Sequence, residues 1–439
     1  MTQTYKTLLK KFISYKSIST DYSYKGEMMA TAEFLKQNFE ENGLSVKIVE
    51  GYGNPIVIAK YNVSDSAQTC LIYGHYDVQP ADKAEGWDSD PFEVFESDER
   101  LFARGIVDNK GQVLIHIATV FDLIKEGNLK YNIIFFIEGD EETGSPLMSK
   151  FVDDYKNDLA CDFFMISDGE ILGDTPIIEA GFRGGANTTL TLRTANTDVH
   201  SGIYGGGVPS ASHEAAKFIT TLFGENQKVL IDGFYNGVDE ISQNIRENNE
   251  SIHFSKQELE SFTGIKDVIV EEGYDFYTAT SLRPTIQVTG LQSGYVGEGY
   301  RNGIPSKAVI KINFRLVKSQ NPHEVLELYR KHIEKHLPRY VSWELEISDP
   351  YEGIKLPLDN EYIIDAKAKL TEAFGKEPKI KFSGGGLPIV TLLVEQLGVQ
   401  NAVLVPLGNE DCNMHGINEN YNKDILEKGL NFSKKFLGS

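Results

Sequence analysis

The sequence predicts an α/β protein: a mostly parallel-sheet domain with helices on both faces, interrupted by an inserted α+β domain. Three observations predict it. Short apolar runs such as 132–137 (NIIFFI) and 162–166 (DFFMI) alternate with helical patterns in the first part of the chain. Strand, helix, strand, helix, strand implies right-handed crossovers and a mostly parallel sheet. After Gly181 the texture changes to stretches such as 187–193 (NTTLTLR), whose alternation of apolar and polar residues marks half-exposed antiparallel strands. Beyond the glycines at 384–386 the first pattern returns.

The elements follow in order. Residues 5–17 and 26–42 carry helical spacing; in the second, Met29, Phe34, Leu35 and Phe39 recur along one face and Gly43 supplies a stop. Residues 46–49 and 55–61 read as strands, and Leu71, Ile72 and Tyr73 run into Gly74 and His75 as a third. Residues 81–104 read as a long loop, a kind that is often functional. A helix is expected over 109–126, with Val113, Ile117, Val120 and Ile124 on one face and Gly127 at its end. The strand at 132–137 runs directly into the acids of 138–142, a helix is expected from Pro146, and the strand at 162–166 ends in Ser167, Asp168 and Gly169. In the inserted domain, strands are expected at 187–193, 285–288, 308–316 and 341–347, with helices at 209–223 and 322–336. The charged, irregular stretch 224–280 is expected to wrap its surface. A helix near 387–397, a strand at 402–405 and a helix from 421 complete the first domain.

Composition bounds the partners. The chain has 439 residues, more than one ordinary core accommodates. Its 43 cationic and 64 acidic residues give a net charge of −21, which argues against nucleic acid or an anionic membrane as partner. No stretch approaches the roughly 18 consecutive apolar residues of a membrane span. The first residues, MTQTYKTLLKKFISYKS, lack the long apolar run and small-residue cleavage site of a signal peptide. Three cysteines, Cys70, Cys161 and Cys412, without C-x-x-C spacing, fit a reducing compartment, hence a cytoplasmic protein.

The chemistry-bearing residues gather where such sheets bind ligands, at the carboxyl ends of the strands. His75 and Asp77 are two residues apart and share a face in extended chain. The imidazole can then bind a metal while the carboxylate orients it. Asp108, Glu141, Glu142, Asp168 and His415 also end apolar strands or start helices. Two histidines and three carboxylates suffice for two divalent ions if one carboxylate bridges, and mixed nitrogen and oxygen ligands suit zinc, cobalt or manganese. A spare carboxylate beside the pair is then the candidate base.

The motifs GHYDVQP (74–80), WDSDPF (87–92), ARGIVDNKG (103–111), EGDEETGS (138–145), SDGE (167–170), VHSG (199–202), NGIPSKA (302–308) and MHGINE (414–419) stand in an order that covers nearly the whole chain. In this it resembles the dinuclear zinc exopeptidases and deacylases that include carnosinase, cytosolic non-specific dipeptidase, aminoacylase, carboxypeptidase G and succinyl-diaminopimelate desuccinylase. The resemblance implies a dinuclear-metal catalytic domain at 1–183 and 382–439, and a lid and dimerisation domain at 184–381. It implies two divalent ions, zinc foremost: His75 and Asp168 on one, Glu142 and His415 on the other, Asp108 bridging. Asp77 would hold His75, and Glu141 would be the general base working with a hydroxide between the metals. A cis peptide is implied at Asp108–Asn109. His200 would reach a partner subunit's site and stabilise the oxyanion, while Asn302, Arg315 and Gly385 would contact substrate.

The activity implied is hydrolysis of the amide bond of small peptides by a cytoplasmic homodimer. The alternative is an N-acyl-amino-acid deacylase of the acetylornithine or succinyl-diaminopimelate type. One departure keeps both open. Carnosinase-like members carry an arginine and a glutamate before the paired glycines near the return hinge, where this chain has Phe382, Ser383 and then Gly384 to Gly386. The glycines at 205–207 and 384–386 lack the spacing of a phosphate loop. His116 is expected to be structural, and His213, His253, His323, His332 and His336 are expected at the surface.

Overall fold

The structure, a computed structural model, describes residues 1–252 and 255–439, without the side chains of residues 258, 262 and 349. The expectation for His253 lies outside the described residues. The chain forms two compact units: residues 1–180, 356–381 and 388–439 in the first, and residues 181–355 and 382–387 in the second. No helix among the described residues is long and apolar enough to cross a membrane.

The first unit is built on a six-stranded sheet in the order Ser45–Val49, Ile56–Tyr61, Asn132–Glu138, Thr69–His75, Phe163–Ile166, Ala402–Leu404. The first two pairings are antiparallel and the other three parallel. The parallel strands are buried along nearly their whole length, which is why they read as unbroken apolar runs. Alternate residues serve opposite faces. Ile72, Phe135 and Met165 join one cluster with the helices Gln3–Ser14, Lys25–Glu41, Lys110–Glu126 and Lys423–Leu437. Phe136 instead meets Phe151 of the helix Met148–Asp154, with ring centroids 5.3 Å apart. Helices therefore cover both faces. His116 is wholly buried within the helix Lys110–Glu126, bonded to Ser433 and Ser167 at 3.0 and 2.8 Å.

The boundaries differ from expectation: residues 181–183 and 382–387, assigned from sequence to the catalytic domain, belong to the second unit. Residues 356–381, assigned from sequence to the inserted domain, belong to the first unit. The reason is the apolar stripe of the helix Glu361–Phe374: Tyr362, Ile363, Ala366, Leu370 and Phe374 join the first unit's cluster. Tyr362 stacks on Phe163 of the sheet, centroids 4.1 Å apart. The expected loop at 81–104 also holds short structure, a turn at Lys83–Glu85 and strands at Phe95–Glu96 and Arg100–Phe102.

The second unit has a four-stranded antiparallel sheet in the order Thr285–Ser293, Lys307–Leu316, Gly184–Arg193, Ser342–Tyr351. One face of it is apolar: Leu190, Leu192, Ile310, Ile312 and Phe314 pack with the helices Ala211–Leu222 and Pro322–His336. Asn321 caps the second helix through the N–H groups of His323 and Glu324, with Pro322 at its first position. The stretch 224–280, expected to be irregular, contains helices at Gln243–Glu250, Lys256–Thr263 and Phe276–Ser281. A separate ribbon pairs Val199 and His200 with Ile304 and Gly303.

Candidate metal centre

The strand Thr69–His75 lies between two parallel neighbours, and His75 is in register with Glu138. Gly74 lets the next layer come close: a Cβ there would stand 2.6 Å from Val113 Cγ2 and 2.8 Å from Asn109 Oδ1. His75 is wholly buried. Its Nδ1 lies 3.1 Å from the Asp77 carbonyl oxygen and 3.3 Å from Asp77 Oδ1. That leaves Nε2 facing Asp108 Oδ1 at 3.0 Å and Asp168 Oδ2 at 3.6 Å, in hydrogen-bond geometry with neither.

Asp77 is also wholly buried. Its carboxylate accepts the backbone N–H groups of Glu141 at 3.3 Å and Glu142 at 3.0 Å, and so anchors the short helical turn Glu141–Thr143.

Asp108 precedes the helix Lys110–Glu126, and the Asp108–Asn109 peptide is cis. Its Oδ2 lies 2.7 Å from His415 Nε2, which is also 3.4 Å from Glu142 Oε2. His415 has φ +60°, a left-handed conformation that costs a non-glycine residue about 1–3 kcal/mol. The ligand atoms of His75, Asp108 and Asp168 lie within 4.8 Å of one another, and so do those of Asp108, Glu142 and His415. Asp108 is common to both groups.

Each group contains a buried atom without a hydrogen-bond partner among the described residues, His75 Nε2 in one and Glu142 Oε1 in the other. Such an atom costs about 1–3 kcal/mol if nothing meets it. The residues therefore fit two divalent ions: each group leaves a buried donor atom unmet, and two imidazoles with three carboxylates are a donor set for zinc or manganese.

The electrostatics follow from packing acids in a buried crevice. Burial pushes Glu141 up to about 7; His75 opposes this and Asp168 and Asp108 add to it. Burial likewise pushes Glu142 up to about 7 and raises Asp168. For Asp108, burial is outweighed by His415 and His75, which hold the carboxyl below the usual range. Bonding to Asp108 lifts His415 to about 9. Cations in the crevice would replace the protons that these groups otherwise share. Glu141 opens onto a cavity of about 220 Å³ whose lining includes Tyr73, Pro146, Met148, Ile389 and Leu392.

Several supporting residues escaped the sequence reading. Glu419, wholly buried, takes an ion pair from Arg104 at 2.9 Å and accepts the N–H groups of Gly105, Val107 and Asp108 at 3.0, 2.9 and 3.2 Å. It staples the loop that carries Asp108. Gln79 donates to Glu142 Oε2 at 2.6 Å. Glu138, pushed up to about 8 by burial, accepts from Tyr73 and Ser145 at 2.6 Å each. Glu419 and Gln79 lie inside the motifs MHGINE and GHYDVQP, which was the available signal.

The remaining predicted residues belong to the second unit. His200 is exposed at the end of the ribbon, and its Nδ1 accepts the N–H of Gly202 at 3.1 Å. The proton of the neutral ring is then on Nε2, which is free to donate. Asn302 is exposed and its carbonyl accepts the N–H of Ser201 at 3.1 Å. Arg315 donates to Asn313 Oδ1 and to the Tyr351 hydroxyl, both at 3.0 Å. Around Gly385 nothing lies within 4 Å of where a Cβ would be.

Comparison with known proteins adds the following. The profile of the family described as "Peptidase family M20/M25/M40" matches residues 71–439. The chain is 28% identical to the Cys-Gly metallodipeptidase dug1 of Schizosaccharomyces pombe, over 97% of this chain and 93% of that protein. It is 26% identical to the Beta-Ala-His dipeptidase of Homo sapiens, over 87% of this chain and 77% of that one. Among solved structures, the M20 family metallo-carboxypeptidase Sso-CP2 of Sulfolobus solfataricus superposes with a TM-score of 0.86 at 30% identity, covering 100% of this chain and 99% of that one.

Proposed function

The chain belongs to peptidase family M20/M25/M40, and from that membership we propose that it is a metal-dependent exopeptidase cleaving the amide bond of dipeptides and similar small peptides. The observation that carries this reading is the sharing of Asp108 between two groups of three ligands, with Glu141 next in sequence to a ligand of the second. The Cys-Gly and Beta-Ala-His dipeptidases among its relatives support a dipeptide substrate.

In this reading His75, Asp108 and Asp168 hold one divalent ion and Asp108, Glu142 and His415 the other, zinc by preference, with manganese or cobalt as alternatives. When bound, the ions supply Lewis acidity toward the scissile carbonyl and the attacking water. Glu141, whose burial brings its carboxyl near neutrality, takes a proton from that water and returns it to the departing amine. Asp77 fixes the ring of His75 and the turn that carries Glu141. His200, with its Nε2 proton, donates to the developing oxyanion from the partner subunit. Asn302, Arg315 and Gly385 contact the substrate. The protein acts as a homodimer formed through the second unit, in the cytoplasm; the free thiols of Cys70, Cys161 and Cys412 support a reducing compartment.

The test is a panel of neutral dipeptides beside N-acetyl and N-succinyl amino acids, assayed with zinc, manganese and cobalt. Dipeptides cleaved at least tenfold faster than the acylated amino acids support the exopeptidase; the reverse order assigns a deacylase.

A further inference from the structure

The second unit holds a cation with no anionic partner. Arg183 lies between the strands Ile177–Phe182 and Gly184–Arg193 and is only 9% exposed. All the acceptors of its guanidinium are neutral: Nε donates to the Gly384 carbonyl at 3.0 Å, and Nη1 to the Arg283 carbonyl at 3.2 Å and to Thr285 Oγ1 at 3.1 Å. Its Nη2 donates no hydrogen bond among the described residues, and a Cβ on Gly384 would come 2.9 Å from it. The charged neighbour is a second cation, Arg315, which with burial lowers Arg183 to about 10. Among the described residues neither guanidinium has a carboxylate within 4.0 Å, and Arg315 Nη2 is likewise without an acceptor. Burying a cation such as Arg183 beside the half-buried Arg315 is costly unless an anion joins them.

The short stretch 382–387 completes the geometry. Gly384 lies against Arg183, while a Cβ on Gly386 would stand 2.9 Å from the Tyr351 hydroxyl, which accepts from Arg315 Nη1. Gly385, between them, is open. Two guanidinium forks with spare donors, flanking bare backbone, match a planar anion with two oxygens. Any side chain at Gly384 would meet the Thr280 carbonyl at 2.4 Å, so glycine keeps Arg183 at the backbone.

We propose that Arg183 joins Arg315 in binding the C-terminal carboxylate of the peptide substrate, so that the cation absent from the 382–387 stretch is supplied from the start of the strand Gly184–Arg193. The assignment rests on the exopeptidase reading. Arg183 is a substrate-recognition residue.

The experiment compares a dipeptide with the same dipeptide C-terminally amidated, using the metal-reconstituted full chain and its Arg183→Gln and Arg183→Lys variants. Wild type is expected to prefer the free acid at least tenfold in kcat/KM. Arg183→Gln is expected to raise KM for the free acid by about tenfold to a hundredfold and to shrink the preference for acid over amide by a similar factor. Arg183→Lys, which keeps the charge but loses the fork, is expected to fall between and gives the same ratio should the glutamine variant not fold. Equal loss on acid and amide in the folded variants, or a wild type indifferent to amidation, overturns this inference alone. A wild type that cleaves neither compound overturns the exopeptidase reading and this inference with it.

Discussion

The Asp77 carboxylate accepts the backbone N–H of Glu142 at 3.0 Å. Its other oxygen stands 3.3 Å from His75 Nδ1 and 3.3 Å from the backbone nitrogen of Glu141. One buried acid thus positions a ligand of each proposed ion and the base beside them. Its role is wider than aiming a histidine, because the turn that carries Glu141 and Glu142 hangs from it as well.

Replacing Asp77 with Ala should therefore weaken both ions. Outer partners of this kind are worth about 10- to 100-fold in metal affinity or activity, and Asp77 serves both groups. Metal titration of the Asp77→Ala chain should show two weakened sites. Loss confined to one site would mean that the turn holds its position without Asp77.

Glu419 should matter for stability as well as activity. Removing it leaves the buried Arg104 unpaired and three backbone N–H groups unsatisfied. Breaking one side of a buried pair costs about 3–5 kcal/mol. Urea unfolding of Glu419→Ala should show a loss of that order, with turnover falling because the loop of Asp108 is no longer fastened. A change under about 1 kcal/mol would contradict the role.

The long-range nature of such contacts explains what could be read from the sequence. His75 and Asp77 were legible because strand alternation and two-residue spacing are local, and the helix at 322–336 because Asn321, Pro322 and an apolar stripe mark it. Glu419 was not singled out, since its partners lie more than 300 positions away. Arg183 was missed for a related reason: a basic residue between two glycine-rich strands carries no sign of burial. The helix Glu361–Phe374 was not read from the sequence, and nothing local says which core its stripe of Tyr362, Ile363 and Leu370 joins.

His116 should make the fold acid-sensitive. Burial holds its imidazole down at about 3, whereas an unfolded histidine titrates near 6.5. Below about pH 6.5 the unfolded chain binds a proton that the folded chain refuses. The stability present above that pH is then lost as pH falls toward 3, at up to about 1.4 kcal/mol per pH unit. A His116→Gln chain should have a flatter stability profile between pH 6.5 and 4. Parallel profiles would show that His116 titrates alike in both states.

His200 can be tested for action across a dimer. His200→Ala alone should lower kcat by about 10²- to 10³-fold, as loss of an oxyanion donor does. Mixing it with an inactive Glu141→Ala chain should restore activity toward about a quarter of wild type, because half the dimers then hold one intact site. No recovery on mixing would place His200 in its own subunit's site or outside catalysis.

The most direct measurement is metal content and dipeptide turnover in Glu141→Ala against wild type. Two ions per chain are expected in both proteins, with a fall in kcat of about 10²- to 10⁴-fold in the variant. Turnover at the wild-type rate, or loss of an ion from the variant, would contradict the assignment of Glu141 as a base that is not a ligand.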